Sequence, residues 1–203
     1  RNLTEEKRGR IPKMLKDLAD AGHHSVFEKS SLHFLVDTDI ASHIHIIKHR
    51  IGVSVNAESA RYKELKEDKY YIPADWKGIK CDPEVDLFGI FDGQDLDIGG
   101  KEWQVILDEY SELGNRLYHQ CLADITPVLG RKRAKESARY FKAYNSQIEA
   151  DILFNWRSFF HFQQLRNSPH AQKEIREAAQ QMLQLVKDIP ENPYKHTIAA
   201  FNL

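Results

Sequence analysis

The amino-acid sequence predicts an α+β fold, and three observations lead there. Apolar residues recur at helical spacing in several stretches, most clearly at 101–122. Two short stretches, 31–37 and 147–154, alternate apolar and polar residues and so predict strands. These strands do not alternate regularly with helices, which argues against a doubly wound parallel sheet. The chain has 203 residues, 41% hydrophobic and 29% charged. That suffices for one globular domain with a sizeable core, and we take 1–203 as a single domain.

In chain order, residues 11–21 predict a short amphipathic helix. Ile11, Met14, Leu15 and Leu18 form its apolar face, Pro12 suits its first turn, and Gly22 ends it. A polar turn, Gly22 to Lys29, follows. Leu32, Phe34 and Val36 give the first strand one buried face, and Thr38 or Asp39 is placed to cap the next helix. Ile40, Ile44, Ile47 and Ile51 make that helix's apolar stripe, with His45, Lys48 and His49 on another face. Gly52 and Ser54 suggest a short loop next. Residues 73–100 are rich in Gly, Pro and acids, which predicts a surface insert with little core of its own.

The helix at 101–122 carries Trp103, Ile106, Leu107, Tyr110, Leu113, Leu117 and Cys121 on one stripe. Pro127 and Gly130 are expected to break the chain before a basic helix at about 131–141. In the second strand Ile148, Ala150, Ile152 and Phe154 share a face. Asn155 is placed to cap the helix beginning at Trp156, on which Arg157 and His161 lie four apart. Ser168-Pro169 predicts the start of the last long helix, marked by Ile175, Ala178, Met182, Leu185 and Val186 and stopping before Pro190.

Composition narrows the function. A net charge of -1 argues against a general nucleic-acid binder but leaves room for a local basic pocket. No run of 18 apolar residues predicts a membrane span. Cys81 and Cys121 are far apart, which fits a reducing cytoplasm better than a disulfide scaffold. The ten His residues lack any His-Glu-x-x-His or finger spacing, so we expect no metal site. Rossmann and Walker phosphate loops are both missing, and so is a nucleophile elbow. Cys81 lies among acids, a poor setting for a reactive thiolate. A nucleotide would therefore be held by arginines and helix ends, for which Arg50, Arg61, Arg139, Arg157 and Arg166 are the candidates. The densest such equipment is Lys48 to Tyr62, matched by a second polar cluster from Asn155 to Arg166.

Taken together, these segments resemble the flavin-dependent thymidylate synthases. That family's signature is Arg-His-Arg, seven or eight residues, then Ser. Here Lys48-His49-Arg50 is followed after eight residues by Ser59-Ala60-Arg61-Tyr62. Gly22-His23-His24-Ser25-Val26-Phe27-Glu28 resembles an upstream segment of the family. Asn155-Trp156-Arg157 with His161, Leu165-Arg166, His170-Ala171-Gln172 and residues 136–139 resemble others. The similarity runs from about residue 11 to residue 188.

The resemblance implies a central, mainly antiparallel sheet flanked by helices, in a homotetramer with active sites at subunit interfaces. It implies methylation of dUMP to dTMP, with methylenetetrahydrofolate giving the carbon, reduced FAD the hydride, and NADPH re-reducing the flavin. It implies self-association and small-molecule partners, without nucleic acid or membrane. Carried over by residue, FAD would meet Ser25, Lys48, His49, Arg50, Ile51, Glu58, Asn155, Arg157 and His161. The nucleotide dUMP would meet His45, Lys48, Glu58, Ser59, Ala60, Arg61, Arg139 and Arg166. Arg166 is the catalytic candidate, a fixed cation beside the acidic N–H of uracil. Lys48 replaces the family's first Arg, exchanging a planar fork for a point charge, and His45 stands where Gln is frequent. Those departures keep an alternative open: a catalytically inactive relative that binds nucleotide or RNA with the same pocket.

Overall fold

The structure is a computed structural model that describes residues 4–59, 63–65, 67–84 and 98–203. The contact pattern divides the chain into two compact units. The first comprises Arg1–Val36, Ser42–Ala57 and Glu149–Leu203, the second Asp37–Ala41 and Glu58–Ile148. The architecture mixes a small three-stranded sheet with many helices. No helix among the described residues is long and apolar enough to cross a membrane.

In the first unit, α1 (Glu5–Gly9) and α2 (Ile11–Asp20) precede a 3-10 segment, His24–Lys29. Gly22, at φ 73°, turns the chain out of α2, as a residue without Cβ does readily. Strand β1 (Leu32–Asp39) buries Leu32, Phe34 and Val36 as the alternation requires. Thr38 and Asp39, expected as cap residues, are themselves buried at the end of that strand. The helix α3 (Ile40–Ile47) follows at once.

Two expectations fail here for related reasons. Ser42, His43 and Ile46 form the buried face of α3, whereas Ile47 is 42% and Ile51 is 90% exposed. The helix stops at Ile47, so Lys48, His49 and Ile51 lie on the turn beyond it and the helical stripe cannot extend to them. The supposed loop after Gly52 is instead a strand, β2 (Val53–Ala57). Its sequence Val-Ser-Val-Asn-Ala alternates, and it pairs antiparallel with β3 (Gln147–Phe154), Val53 opposite Phe154 and Ala57 opposite Ala150. The sheet order is β1-β3-β2, which puts β3 in the centre.

On β3, Ala150, Ile152 and Phe154 are buried as predicted. They meet α6 (Trp156–Arg166), α7 (Lys173–Lys187) and α8 (Lys195–Ala200) around an aromatic core. Phe34 stacks on Phe159 with centroids 5.6 Å apart, and Trp156 stacks on Tyr194 at 5.4 Å. The buried Gln163 amide donates to the Ala179 carbonyl at 2.8 Å, tying α6 to α7. Along α7 the buried set is Ile175, Ala179, Met182, Leu183 and Val186; Leu185, expected in the core, is 63% exposed. The helix also starts later than Ser168-Pro169, which sit in the preceding turn.

In the second unit, a 3-10 turn (Ala74–Trp76) leads to Cys81. Cys81 is buried rather than exposed, with its N–H donating to Lys101 O at 2.8 Å. Residues 85–97 of the predicted insert lie outside the described residues. The helix α4 (Trp103–Leu129) runs past Pro127. A proline two residues from the end removes a single hydrogen bond, and Gly130, at φ 76°, supplies the stop. The buried face of α4 is Ser111, Gly114, Asn115, Tyr118 and Leu122; of the apolar stripe read from the sequence, Ile106, Leu107, Leu113 and Cys121 are half-buried and Trp103, Tyr110 and Leu117 exposed. Tyr118 and Leu122 pack on Ala134 and Ala138 of α5 (Arg131–Ala138). A short 3-10 turn, Arg139–Phe141, follows.

Candidate active site

The site in the first unit is built where the turn after α3 meets the N-terminal half of α6. Asn155 begins α6 as an N-cap: its Oδ1 accepts from Ser158 N at 2.9 Å, satisfying a donor the helix cannot. The Ser158 hydroxyl donates back to the Ile51 carbonyl at 2.7 Å, and Asn155 N donates to Gly52 O at 3.2 Å. Gly52 makes this close approach possible. It sits at φ 67°, and a Cβ there would lie 2.3 Å from Ser158 Oγ and 2.4 Å from Asn155 Nδ2. The main chain of Lys48–Gly52 is thereby held against α6.

Two adjoining clefts open on this junction. One, of about 260 Å³, is lined by Lys48, His49, Arg50, Ile51, Val53, Ser158, His161, Leu165 and Arg166. The other, of about 420 Å³, is lined by residues including His24, Glu28, Gly52, Asn155, Arg157, Phe160 and Gln164. Ile51, Ser158 and His161 border both. Four fixed cations, Lys48, Arg50, Arg157 and Arg166, face one acid, Glu28, among the described lining residues. Glu28 pairs with Arg157, linking the 3-10 segment to α6. The surroundings suit an anion next to a partly apolar group.

His49 is the electronic centre of the smaller cleft. Its Nε2 accepts from Arg166 Nε at 3.0 Å, so that nitrogen carries no proton. The ring packs edge-on against Phe162 at 5.1 Å and His161 at 5.9 Å. Burial, then the Arg166 charge, then His161, push its pKa down to about 4. His49 is therefore a neutral acceptor near pH 7, and it orients the guanidinium of Arg166 at the last turn of α6.

The structure thus brings together Lys48, His49, Arg50, Ile51, Asn155, Arg157, His161 and Arg166. Ser25 is exposed and is not among the residues lining either cleft, although its neighbour His24 is. His45 is half-buried on α3 and also lines neither. Glu58, Ser59 and Arg139 belong to the second unit. There Glu58 pairs with Lys63, Ser59 O accepts from Lys63 N at 2.9 Å, and Arg139 is exposed in its 3-10 turn. Ala60 and Arg61 lie outside the described residues.

Sequence reasoning missed Gly52, Ser158, His24, Glu28 and Gln164 as site residues. The spacing of His24 and Glu28 four apart, and of Ser158 three beyond the cap, were available signals. Gly52 offered a weaker one, since a glycine directly after a basic triplet marks a turn without saying what crowds it.

A family model described as thymidylate synthase complementing protein matches residues 1–191. A flavin-dependent thymidylate synthase of Clostridium tetani is 29% identical over 97% of this chain and 73% of its own length. One from Mycobacterium avium is 28% identical over 86% of the chain and 65% of its own. One from Mycolicibacterium vanbaalenii is 31% identical over 87% and 66%. The chain thus spans 65–73% of these relatives' own lengths, less than two thirds of two of them. A match this long, over the same segments that build the basic junction of α3, β2 and α6, places the chain in the thymidylate synthase complementing protein family.

Proposed function

We propose that this protein methylates dUMP to dTMP, with methylenetetrahydrofolate as carbon donor and a flavin, FAD, re-reduced by NADPH, as hydride source. The observation that carries the reading is the Arg166–His49 contact: a fixed guanidinium held by a neutral histidine inside a basic cleft. It is supported by membership of a family whose curated relatives are named flavin-dependent thymidylate synthases.

The residues present fit a flavin dinucleotide. Lys48, Arg50 and Arg157 offer the cations a diphosphate needs, and Ile51, Asn155, His161 and neutral His49 offer apolar and hydrogen-bonding surface for a ring. When bound, the flavin supplies the hydride. In this chain, Arg166 sits beside uracil N3 and favours loss of its proton, because an adjacent cation stabilises the anion. Charge on the ring makes C5 a better carbon nucleophile, so no attacking cysteine is required. Cys81 is buried and Cys121 is half-buried, in keeping with that. Bonding through Nε leaves the end of the Arg166 fork for a ligand. Ser59, Ala60, Arg61 and Arg139, with His45 and Glu58, hold the nucleotide; Ser25 adds to the flavin contacts. Ser59 binds rather than attacks, since no general base is placed for it. We further propose a homotetramer, with active sites completed at subunit interfaces.

The test is dTMP formation by purified protein given FAD, NADPH, dUMP and methylenetetrahydrofolate, with a visible spectrum of the same sample. A flavin spectrum with dTMP is expected, and Arg166→Ala should keep the spectrum while losing at least about a hundredfold in turnover. Flavin without dTMP in the wild type would point instead to an inactive nucleotide-binding relative. Near-normal turnover of Arg166→Ala would remove its assigned role.

A further inference from the structure

A second set of polar side chains lies in the second unit, and nothing so far gives it work. Lys142 is only 5% exposed. Its Nζ donates to Asp68 Oδ1 at 2.6 Å and to Asn115 Oδ1 at 2.6 Å, and lies 4.8 Å above the Tyr118 ring. His119 Nε2 is 2.9 Å from the other Asp68 oxygen, and Asn115 Nδ2 donates to the Asp68 carbonyl at 3.1 Å. Asp68 is held at φ 50°, a left-handed conformation unusual for a residue with a Cβ. Burial alone would raise its pKa; hydrogen bonds from Lys142 and His119 outweigh that and hold it below the usual carboxylate range.

What this cluster joins is informative. On one side, Asp68 ends the segment that runs on from Glu58 and Ser59. The same segment is fastened by Leu65 N donating to Tyr118 Oη at 3.1 Å and by Glu64 pairing with Arg131 at 2.9 Å. On the other side, Lys142 directly follows the Arg139–Phe141 turn, and its N–H donates to Arg139 O at 3.0 Å. The turn is also pressed on α4 at Gly114, where a Cβ would lie 2.6 Å from Phe141 O. The two anchored segments carry Ser59 and Arg139, two of the residues assigned above to dUMP.

We infer that the pair of buried Lys142 and half-buried Asp68, with Gly114 beneath the Arg139 turn, is a positioning device that sets the nucleotide-binding segments of the second unit. The inference rests on the assignment of Ser59 and Arg139 to dUMP. Lys142 and Asp68 do not touch the nucleotide; they fix the main chain that presents the groups that do. A buried ammonium is a suitable latch, because moving it away from the part-exposed Asp68 carboxylate leaves an uncompensated charge inside the protein.

The test uses the flavin-loaded protein and Lys142→Met, Asp68→Asn, the double variant and Gly114→Ala. Calorimetry gives dUMP and FAD affinities, and steady-state kinetics give KM and kcat. In Lys142→Met and Gly114→Ala the dUMP dissociation constant and KM should rise on the order of tenfold, since small misplacements cost that much or more. FAD affinity and kcat at saturating dUMP should stay within about twofold, and the double variant should be no worse than Lys142→Met, as expected of residues acting as one unit. Folded variants with wild-type dUMP affinity, or a parallel loss of dUMP and FAD, would overturn the inference. Should Lys142→Met not fold, Gly114→Ala decides by the same split. A wild-type protein that binds no dUMP would overturn the functional reading and this inference with it. A wild type that binds, with variants equal to it, would overturn the inference alone.

Discussion

His49 shows what a single residue contributes and how much of it the sequence can tell. The triplet Lys48-His49-Arg50 is legible as anion-binding equipment, because three basic side chains in a row are hard to miss. That His49 is uncharged is not legible, since its state depends on burial and on Arg166, 117 positions later. The folded pKa, about 4, lies below the ordinary 6.5. Between those values the unfolded chain binds more protons at this site than the native one, so stability rises with pH there. The contribution is fully present above pH 6.5 and is lost as pH falls towards 4. His49→Gln keeps an oxygen acceptor for Arg166 but cannot titrate. Urea midpoints should therefore show the wild type losing ground to the variant between pH 7 and pH 4.5. A gap that stays constant with pH would mean that His49 titrates alike in the folded and unfolded chain, as a solvated imidazole would.

At the scale of elements, the legible parts were those whose apolar pattern matches their burial. β1 and β3 alternate, and Asn155 caps α6, because short-range rules decide them. The helix α4 is legible, but its buried face is not: Gly114, Ser111 and Asn115 face inward where polar bonds and close backbone contact are needed, and Trp103, Tyr110 and Leu117 of the apolar stripe are exposed. The stretch that forms β2 reads as a loop because Gly52 and Ser54 resemble turn chemistry, although the strand begins only after the glycine. Gly52 gives a direct test of this junction. In Gly52→Ala the methyl meets Ser158 and Asn155, and a left-handed backbone must carry a Cβ. The two effects together should cost about 2–4 kcal/mol. Chemical denaturation should show that loss, and FAD binding should weaken with it, because the Lys48–Ile51 main chain is displaced from α6. Wild-type stability would show that the turn relaxes without α6.

At the scale of the whole molecule, the sequence indicated the fold class but not the division into two compact units, because the second is an excursion between β2 and β3 with its own packing. Among the described residues, that unit has a small apolar cluster around Tyr118, Leu122, Ala134 and Ala138. Meanwhile Trp76, Trp103, Tyr110, Leu117 and Phe141 are each more than a third exposed and line a groove of about 590 Å³. Aromatic side chains concentrated in one groove are costly to leave in water and are typical of surfaces that meet a partner. The proposed homotetramer accounts for them, since copies of the chain would remove this surface from solvent. Sedimentation should then give a mass four times the 23.6 kDa chain. Tyr110→Glu, at 59% exposure on α4, should shift that mass downward while far-UV circular dichroism stays unchanged, because the residue contributes little to the fold of its own unit. A wild-type monomer across the micromolar range would remove the tetramer from the proposal. A variant that stays tetrameric would move the interface elsewhere and leave this groove without a role in assembly.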